Sequence, residues 1–166
     1  MHDYKNALMN YKKALSLNAN TRTTWYNLGN LYRDNDRISK AEACYEKVLE
    51  MDEQYDFSFK VALSYKDIDS YEKALACLQK LLEVRPESNE VWFHLTYSYA
   101  QQEQQDLAIE PYKKCLEINP QHHSAWNNLG LILARQDKFR EALKCCKKSI
   151  MIDPESLAAW HNLQFI

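Results

Sequence analysis

The sequence predicts an all-α fold, a solenoid of antiparallel helix pairs, on three observations. Trp92, Trp126 and Trp160 stand 34 residues apart. Pro86, Pro120 and Pro154 stand 34 apart in the same phase. The chain also holds only two glycines and four prolines, with 46% hydrophobic residues, so nearly all of its 166 residues are compatible with helix. A fixed period of this length marks stacked repeats, in which each unit buries its apolar face against its neighbours.

Taken in order, residues 1–21 read as the second helix of a partial repeat. Four units follow at 22–54, 55–88, 89–122 and 123–156, and 157–166 read as the truncated first helix of a further one. Within each unit the fourth, seventh and eleventh places fall on one face of a first helix, A, as with Trp25, Leu28 and Tyr32. That face packs on the second helix, B. The twentieth place reads Ala7, Ala41, Ala74, Ala108 and Ala142, and small residues there and at Gly29 and Gly130 let the two backbones approach. The thirtieth place is always aliphatic: Leu17, Met51, Val84, Ile118 and Ile152. Each repeating proline sits just past B, where a missing N–H costs nothing and the helix cannot continue.

Three departures are local. The unit from Arg22 is one residue short near Glu53 to Tyr55, where Glu53 replaces the proline, so a tighter turn is expected. Ser58 holds the tryptophan place of the next unit, and Phe59 is expected to swing in as a substitute. Pro111 falls inside a B helix, where it removes one backbone hydrogen bond or delays the helix start until about Ala108.

The phrases W-Y-N-L-G-N-L-Y at Trp25–Tyr32 and W-N-N-L-G at Trp126–Gly130 resemble the tetratricopeptide repeat family, and the likeness covers nearly the whole chain. The resemblance implies a right-handed superhelix whose A helices line a concave groove. It places the second, fifth, sixth, ninth, twelfth and thirteenth residues of each unit in that groove. Those are Tyr26, Asn27, Asn30, Arg33 and Asp34; Phe59, Lys60, Leu63, Lys66 and Asp67; Phe93, His94, Tyr97 and Gln101; and Asn127, Asn128, Leu131 and Arg135. Amides can hydrogen-bond a peptide backbone while aromatics form pockets for its side chains. Asn27 and Asn30 stand out, because an amide on an inner groove has little packing reason to be there.

Two family sub-types bear on the partner. The carboxylate clamp that grips acidic chaperone tails needs Lys, Asn and Arg at set places. Here the first triplet reads Tyr26 and Asn30, Lys60, then Glu90 and His94, which disfavours such tails. The asparagine-lined sub-type, found in the substrate-reading arm of a glycosyltransferase, is matched in part by Asn27, Asn128 and Asn162 and interrupted by Lys60 and His94.

Other chemistry finds little support. Cys44, Cys77 and Cys145 share the twenty-third place, with Cys115 and Cys146 nearby, and none has CxxC spacing, so reduced packing cysteines are expected. His122 and His123 straddle a turn and read as solvated turn residues. No catalytic motif is present, two glycines leave no phosphate cradle, and no cofactor or metal is expected. A lysine stripe, Lys13, Lys47, Lys80, Lys114 and Lys148, is offset by Glu50, Glu83 and Glu117 three residues on. With a net charge of −2 it gives no nucleic-acid footprint. No apolar run nears the roughly 20 residues that span a bilayer, so a cytoplasmic, reduced setting is the default expectation.

The chain opens in mid-repeat and stops at Ile166, so an excised fragment of a longer protein is expected. The alternative is self-association through apolar ends formed by Trp160, Leu163, Phe165 and Ile166. The expected function is a non-catalytic scaffold binding a peptide or protein partner, and the alternative is the recognition arm of a larger enzyme.

Overall fold

The computed structural model describes residues 2–18, 21–52, 55–102, 104–164 and 166. Among them the secondary structure is ten α-helices and no strand, in two compact units, Met1–Leu81 and Leu82–Ile166. The short turn expected at Glu53 and Gln54 lies outside the described residues, as does Phe165.

The first unit contains α1 (His2–Leu17), α2 (Arg22–Arg33), α3 (Ile38–Glu50), α4 (Ser58–Asp67) and α5 (Tyr71–Val84), the last running a turn beyond the unit. Helix α2 packs along α3. Leu28 and Tyr32 of α2 meet Ala41, Cys44, Tyr45 and Val48 of α3, all buried. The close approach depends on Gly29: a Cβ there would lie 2.6 Å from the Tyr45 ring and 3.3 Å from the Cys44 Cβ. Val61, Ala62 and Tyr65 of α4 and Ala74, Leu75, Leu78 and Leu81 of α5 are likewise buried.

The second unit contains α6 (Asn89–Gln101), α7 (Gln105–Ile118), α8 (His123–Arg135), α9 (Phe139–Ile152) and α10 (Leu157–Gln164). Its core gathers Ala108, Tyr112, Cys115 and Leu116 of α7 with Leu129, Ile132 and Leu133 of α8 and Ala142 and Cys145 of α9. Gly130 plays the part of Gly29, since a Cβ there would come within 2.8 Å of the Cys146 Sγ and 3.2 Å of the Ala142 carbonyl oxygen. Pro111 does not delay its helix: α7 starts at Gln105 and passes through the proline unbroken. Only the bond a residue-111 N–H would give to Leu107 is forfeited.

The turns from A to B repeat one device without glycine. Asp36, Asp69 and Asp137 occupy the same place in their repeats and have φ of 56°, 57° and 59°. After each, a main-chain N–H reaches back five residues: Arg37 to Tyr32, Ser70 to Tyr65 and Lys138 to Leu133, at 2.9–3.0 Å. This is the Schellman closure, and aspartate tolerates the left-handed backbone better than most side chains.

The tryptophan place of the unit from Tyr55 is held by Ser58, and Phe59 beside it is half-buried. Ser58 stays buried there, held by Asp52. The Asp52 Oδ2 accepts from the Ser58 hydroxyl (2.7 Å) and from the main-chain N–H groups of Ser58 (2.7 Å) and Phe57 (2.9 Å). Its Oδ1 takes the Arg22 guanidinium at 2.9 Å. One buried carboxylate thus caps α4 and ties its start to the start of α2.

Candidate functional site

In the first unit the A-helix candidates lie on α2 and α4. Tyr26 is half-buried, with its ring 6.1 Å from that of Tyr45 and 5.9 Å from that of Phe57, and its hydroxyl accepts from the Ser64 hydroxyl at 3.3 Å. Phe57 was not anticipated from the sequence. It lies just before α4, with the Arg22 guanidinium 5.5 Å and the Lys60 ammonium 5.1 Å from its ring centroid. Lys60 is exposed, while Phe59 and Lys66 are half-buried.

The two asparagines of α2 separate. Asn30 has a structural duty that sequence reasoning denied it: its Oδ1 accepts the hydroxyl of fully buried Tyr45 at 2.9 Å. Asn27 is half-buried and makes no side-chain hydrogen bond among the described residues. Arg33 bridges two A helices, pairing with Asp34 at 3.0 Å and with Asp67 of α4 at 3.4 Å.

In the second unit Phe93, His94 and Tyr97 of α6 are half-buried. Phe93 stacks on His122 with ring centroids 4.4 Å apart and planes 27° apart, and tilts against Tyr112. His122 is therefore no solvated turn residue. Its Nδ1 accepts the Ala125 N–H at 3.3 Å and caps α8. Burial lowers its pKa, and the neighbouring His123 pushes the same way. Asn127 is buried; its Oδ1 accepts from Asn162 of α10 at 2.9 Å, and its amide N–H meets Asn128 Oδ1 at 3.4 Å. Burial raises the pKa of the Tyr112 phenol, and Asn128 opposes that rise.

The five cysteines are buried, which pushes the thiols of Cys44, Cys77, Cys115 and Cys145 up to about 11 and raises that of Cys146 as well. They pack as uncharged thiols and are poor nucleophiles. No group of three metal-ligating side chains occurs among the described residues. Within the lysine stripe, Lys47 pairs with Glu50 and Lys114 with Glu117, each at 2.6 Å. No described helix is long and apolar enough to cross a membrane. Of the apolar end, Trp160 is 47% exposed, and Leu163 and Ile166 are half-buried.

Comparison with known proteins agrees with this architecture. The sequence patterns described as "Tetratricopeptide repeat" match residues 23–55, 56–88 and 123–156, and one described as "TPR repeat" matches 97–137. Among curated proteins, none matches the chain in sequence. The solved structure of YrrB, a TPR protein with an unusual peptide-binding site, is 26% identical over 98% of this chain and 84% of its own, with a TM-score of 0.80. MamA from Desulfovibrio magneticus RS-1 is 20% identical over 93% of this chain and 88% of its own, with a TM-score of 0.77. The first TPR of Spaghetti (RPAP3), bound to the HSP90 peptide SRMEEVD, is 16% identical over 67% and 88%, with a TM-score of 0.64. At those identities the last two show the fold alone, an all-α repeat solenoid.

Proposed function

The chain belongs to the tetratricopeptide repeat family, and from that premise we propose that it is a non-catalytic scaffold whose A-helix faces bind a peptide or protein partner. The observation that carries this reading is Asn27. It presents an amide with no partner among the described residues, beside the half-buried Tyr26 ring and on the helix next to exposed Lys60. An unpaired amide flanked by an aromatic is suited to a peptide main chain. YrrB, the 26% identical relative, has a peptide-binding site by its description, which supports the class of ligand. The clamp places for acidic chaperone tails hold Tyr26, Glu90 and His94, so the reading does not extend to such tails.

Peptide-display selection against the full chain tests this, run beside a double variant, Asn27→Ala with Lys60→Glu. Asn30 is left intact because it bonds a buried tyrosine. Enriched peptides that the variant loses, at unchanged helicity by circular dichroism, are the expected result. Peptides that bind both proteins alike would move the site off this face.

A further inference from the structure

Cavities recur at one repeat place, beside Cys44, Cys77 and Cys145, and their volumes of about 420, 420 and 410 Å³ do not tell them apart. Charge does. The cavity at Cys77, within the first unit, sets Lys73 and Lys80 against Glu46, Glu50 and Asp52. The one at Cys44 carries Lys12 and Lys40. The one at Cys145, within the second unit, carries Lys113, Lys138, Lys144 and Lys148 against a single carboxylate, Glu141, in a chain whose net charge is −2.

The sequence shows how this excess arises. Lys47, Lys80 and Lys114 each have a glutamate three residues on, whereas Lys148 has Met151, which is 78% exposed. Lys144 stands at the place that holds Ala43, Ala76 and Glu110 in the other repeats, and Lys113 at the place from which Glu46 lines the Cys77 cavity. Lys113 pairs with Glu110 at 2.6 Å and Lys138 donates to neutral Gln136 at 2.8 Å. Lys144 and Lys148 are exposed and have no ion-pair partner among the described residues. The Lys148 ammonium lies 5.9 Å from the Trp126 ring centroid.

Beneath these cations the lining is apolar: Ile109 of α7, Trp126, Leu129 and Leu133 of α8, and Cys145 of α9. The three α8 residues follow one stripe of that helix, so the floor runs for about 10 Å, two helical turns. We infer that this cavity docks an acidic amphipathic segment of a partner polypeptide, with its apolar side chains on the α8 floor and its carboxylates on Lys144 and Lys148. A phosphate backbone would use the lysines but gain nothing from an aliphatic floor edged by Glu141, and a bilayer surface is too broad to enter between α7 and α9. Asn27 and Lys60 belong to the other unit, so this site and the proposed function fail separately.

Titration of the ¹⁵N-labelled full chain with a peptide of three Glu-Glu-Leu-Leu repeats tests it, beside counterparts built on Gln-Gln-Leu-Leu, Glu-Glu-Ser-Ser and Lys-Lys-Leu-Leu, an oligouridine and phosphatidylserine vesicles. The acidic leucine peptide should shift the backbone amides of Ile109, Lys144 and Lys148. It should bind about tenfold more tightly than the glutamine and serine counterparts, and its lead over glutamine should shrink as salt rises. Lys144→Glu with Lys148→Glu, at unchanged helicity, should weaken it by about tenfold or more and admit the lysine counterpart. Lys12→Glu with Lys40→Glu, the same charge change at the Cys44 cavity, should leave its affinity within about twofold. Absence of binding by the acidic leucine peptide, equal binding of the serine counterpart, or equal losses from the two double variants would each overturn the assignment. So would shifts confined to Asn27 and Lys60, or tighter binding of oligouridine or vesicles than of the acidic peptide.

Discussion

Trp126 donates its indole N–H to the main-chain carbonyl of Pro120, 2.9 Å away. Trp92 does the same to Pro86 at 2.7 Å and Trp160 to Pro154 at 2.8 Å. This bond is why the two residue types share a phase in the sequence. The proline ends one B helix and bares a carbonyl, and the tryptophan six residues on closes it, so each turn is fixed from both sides.

The bond uses the indole but not the pyrrolidine ring, and that asymmetry is measurable. Trp126→Phe should lower stability by about 1–2 kcal/mol through the lost bond and lost packing. Pro120→Ala keeps the carbonyl and should cost less than about 1 kcal/mol, chiefly through the freer unfolded chain. Urea unfolding midpoints of the two variants check the order.

Tyr45 and Tyr65 are both fully buried with edge-on rings 5.6 Å apart, yet only the Tyr45 hydroxyl is bonded, to Asn30. Tyr45→Phe should therefore destabilise the chain by about 1 kcal/mol or more, leaving the Asn30 carbonyl oxygen unpaired. Tyr65→Phe removes a hydroxyl that has nothing to lose and should be neutral or stabilising by up to about 1 kcal/mol. Equal losses from the two changes would contradict the distinction.

Glycine and left-handed backbone are decoupled in this chain. Both glycines sit in helices where a Cβ would collide, while the left-handed residues among those described are three aspartates, Asp36, Asp69 and Asp137, and Tyr55. Gly130→Ala, which in an open helix gains about 1 kcal/mol, should here lose about 1–3 kcal/mol by overpacking against Cys146 and the Ala142 carbonyl. Asp137→Gly should gain about 0.5–1 kcal/mol by relieving the left-handed residue. Thermal unfolding of the pair should move in opposite directions.

The all-α repeat fold was legible because its determinants are periodic: Ala41, Ala74, Ala108 and Ala142 recur at one place and are all fully buried. What was not legible depended on contacts between places of different rank. Nothing in the order of residues told that Asn30 would be spent on Tyr45, since that requires the relative rotation of two helices. Asp52 was missed for a related reason. It looks like an ordinary polar turn residue, and only the exchange of tryptophan for Ser58 in the next unit gave it a cavity to cap. The lone signal was that exchange itself, which pointed toward an aromatic substitute rather than a buried carboxylate. Peptide-facing residues are the least legible, because a groove amide and a core-supporting amide are the same residue type at neighbouring places.

Asp52 offers a direct check on that account. Its side chain is fully buried and accepts four donors, whereas its partner Arg22 remains 33% exposed. Asp52→Ala should cost about 2–4 kcal/mol, because the N–H groups that start α4 lose their acceptor in a buried place. Arg22→Ala should cost only about 1 kcal/mol, since water screens the guanidinium and three donors stay on Asp52. Chemical denaturation of both variants gives the comparison, and a larger loss at Arg22 would show that the ion pair rather than the cap holds α4.

His122 makes the stability of α8 depend on pH. Burial lowers its pKa, His123 adds to that and Glu90 opposes it, so the folded chain binds the proton less readily than the unfolded one. The cap needs the neutral ring, because Nδ1 can accept the Ala125 N–H only while unprotonated. A histidine with a depressed folded pKa contributes its full stability above its unfolded value, about 6.5, and loses it as pH falls through the lower folded value. Stability should thus decline by up to about 1 kcal/mol on acidification from pH 7 toward 5, the usual worth of a cap. His122→Asn supplies a cap that does not titrate in this range. It should be less stable than the parent at pH 7, through the lost stack on Phe93, and should lack this part of the slope. Unfolding midpoints of the two proteins across that range decide the matter: parallel curves would mean that the cap does not titrate, whereas converging curves follow from the geometry of Nδ1.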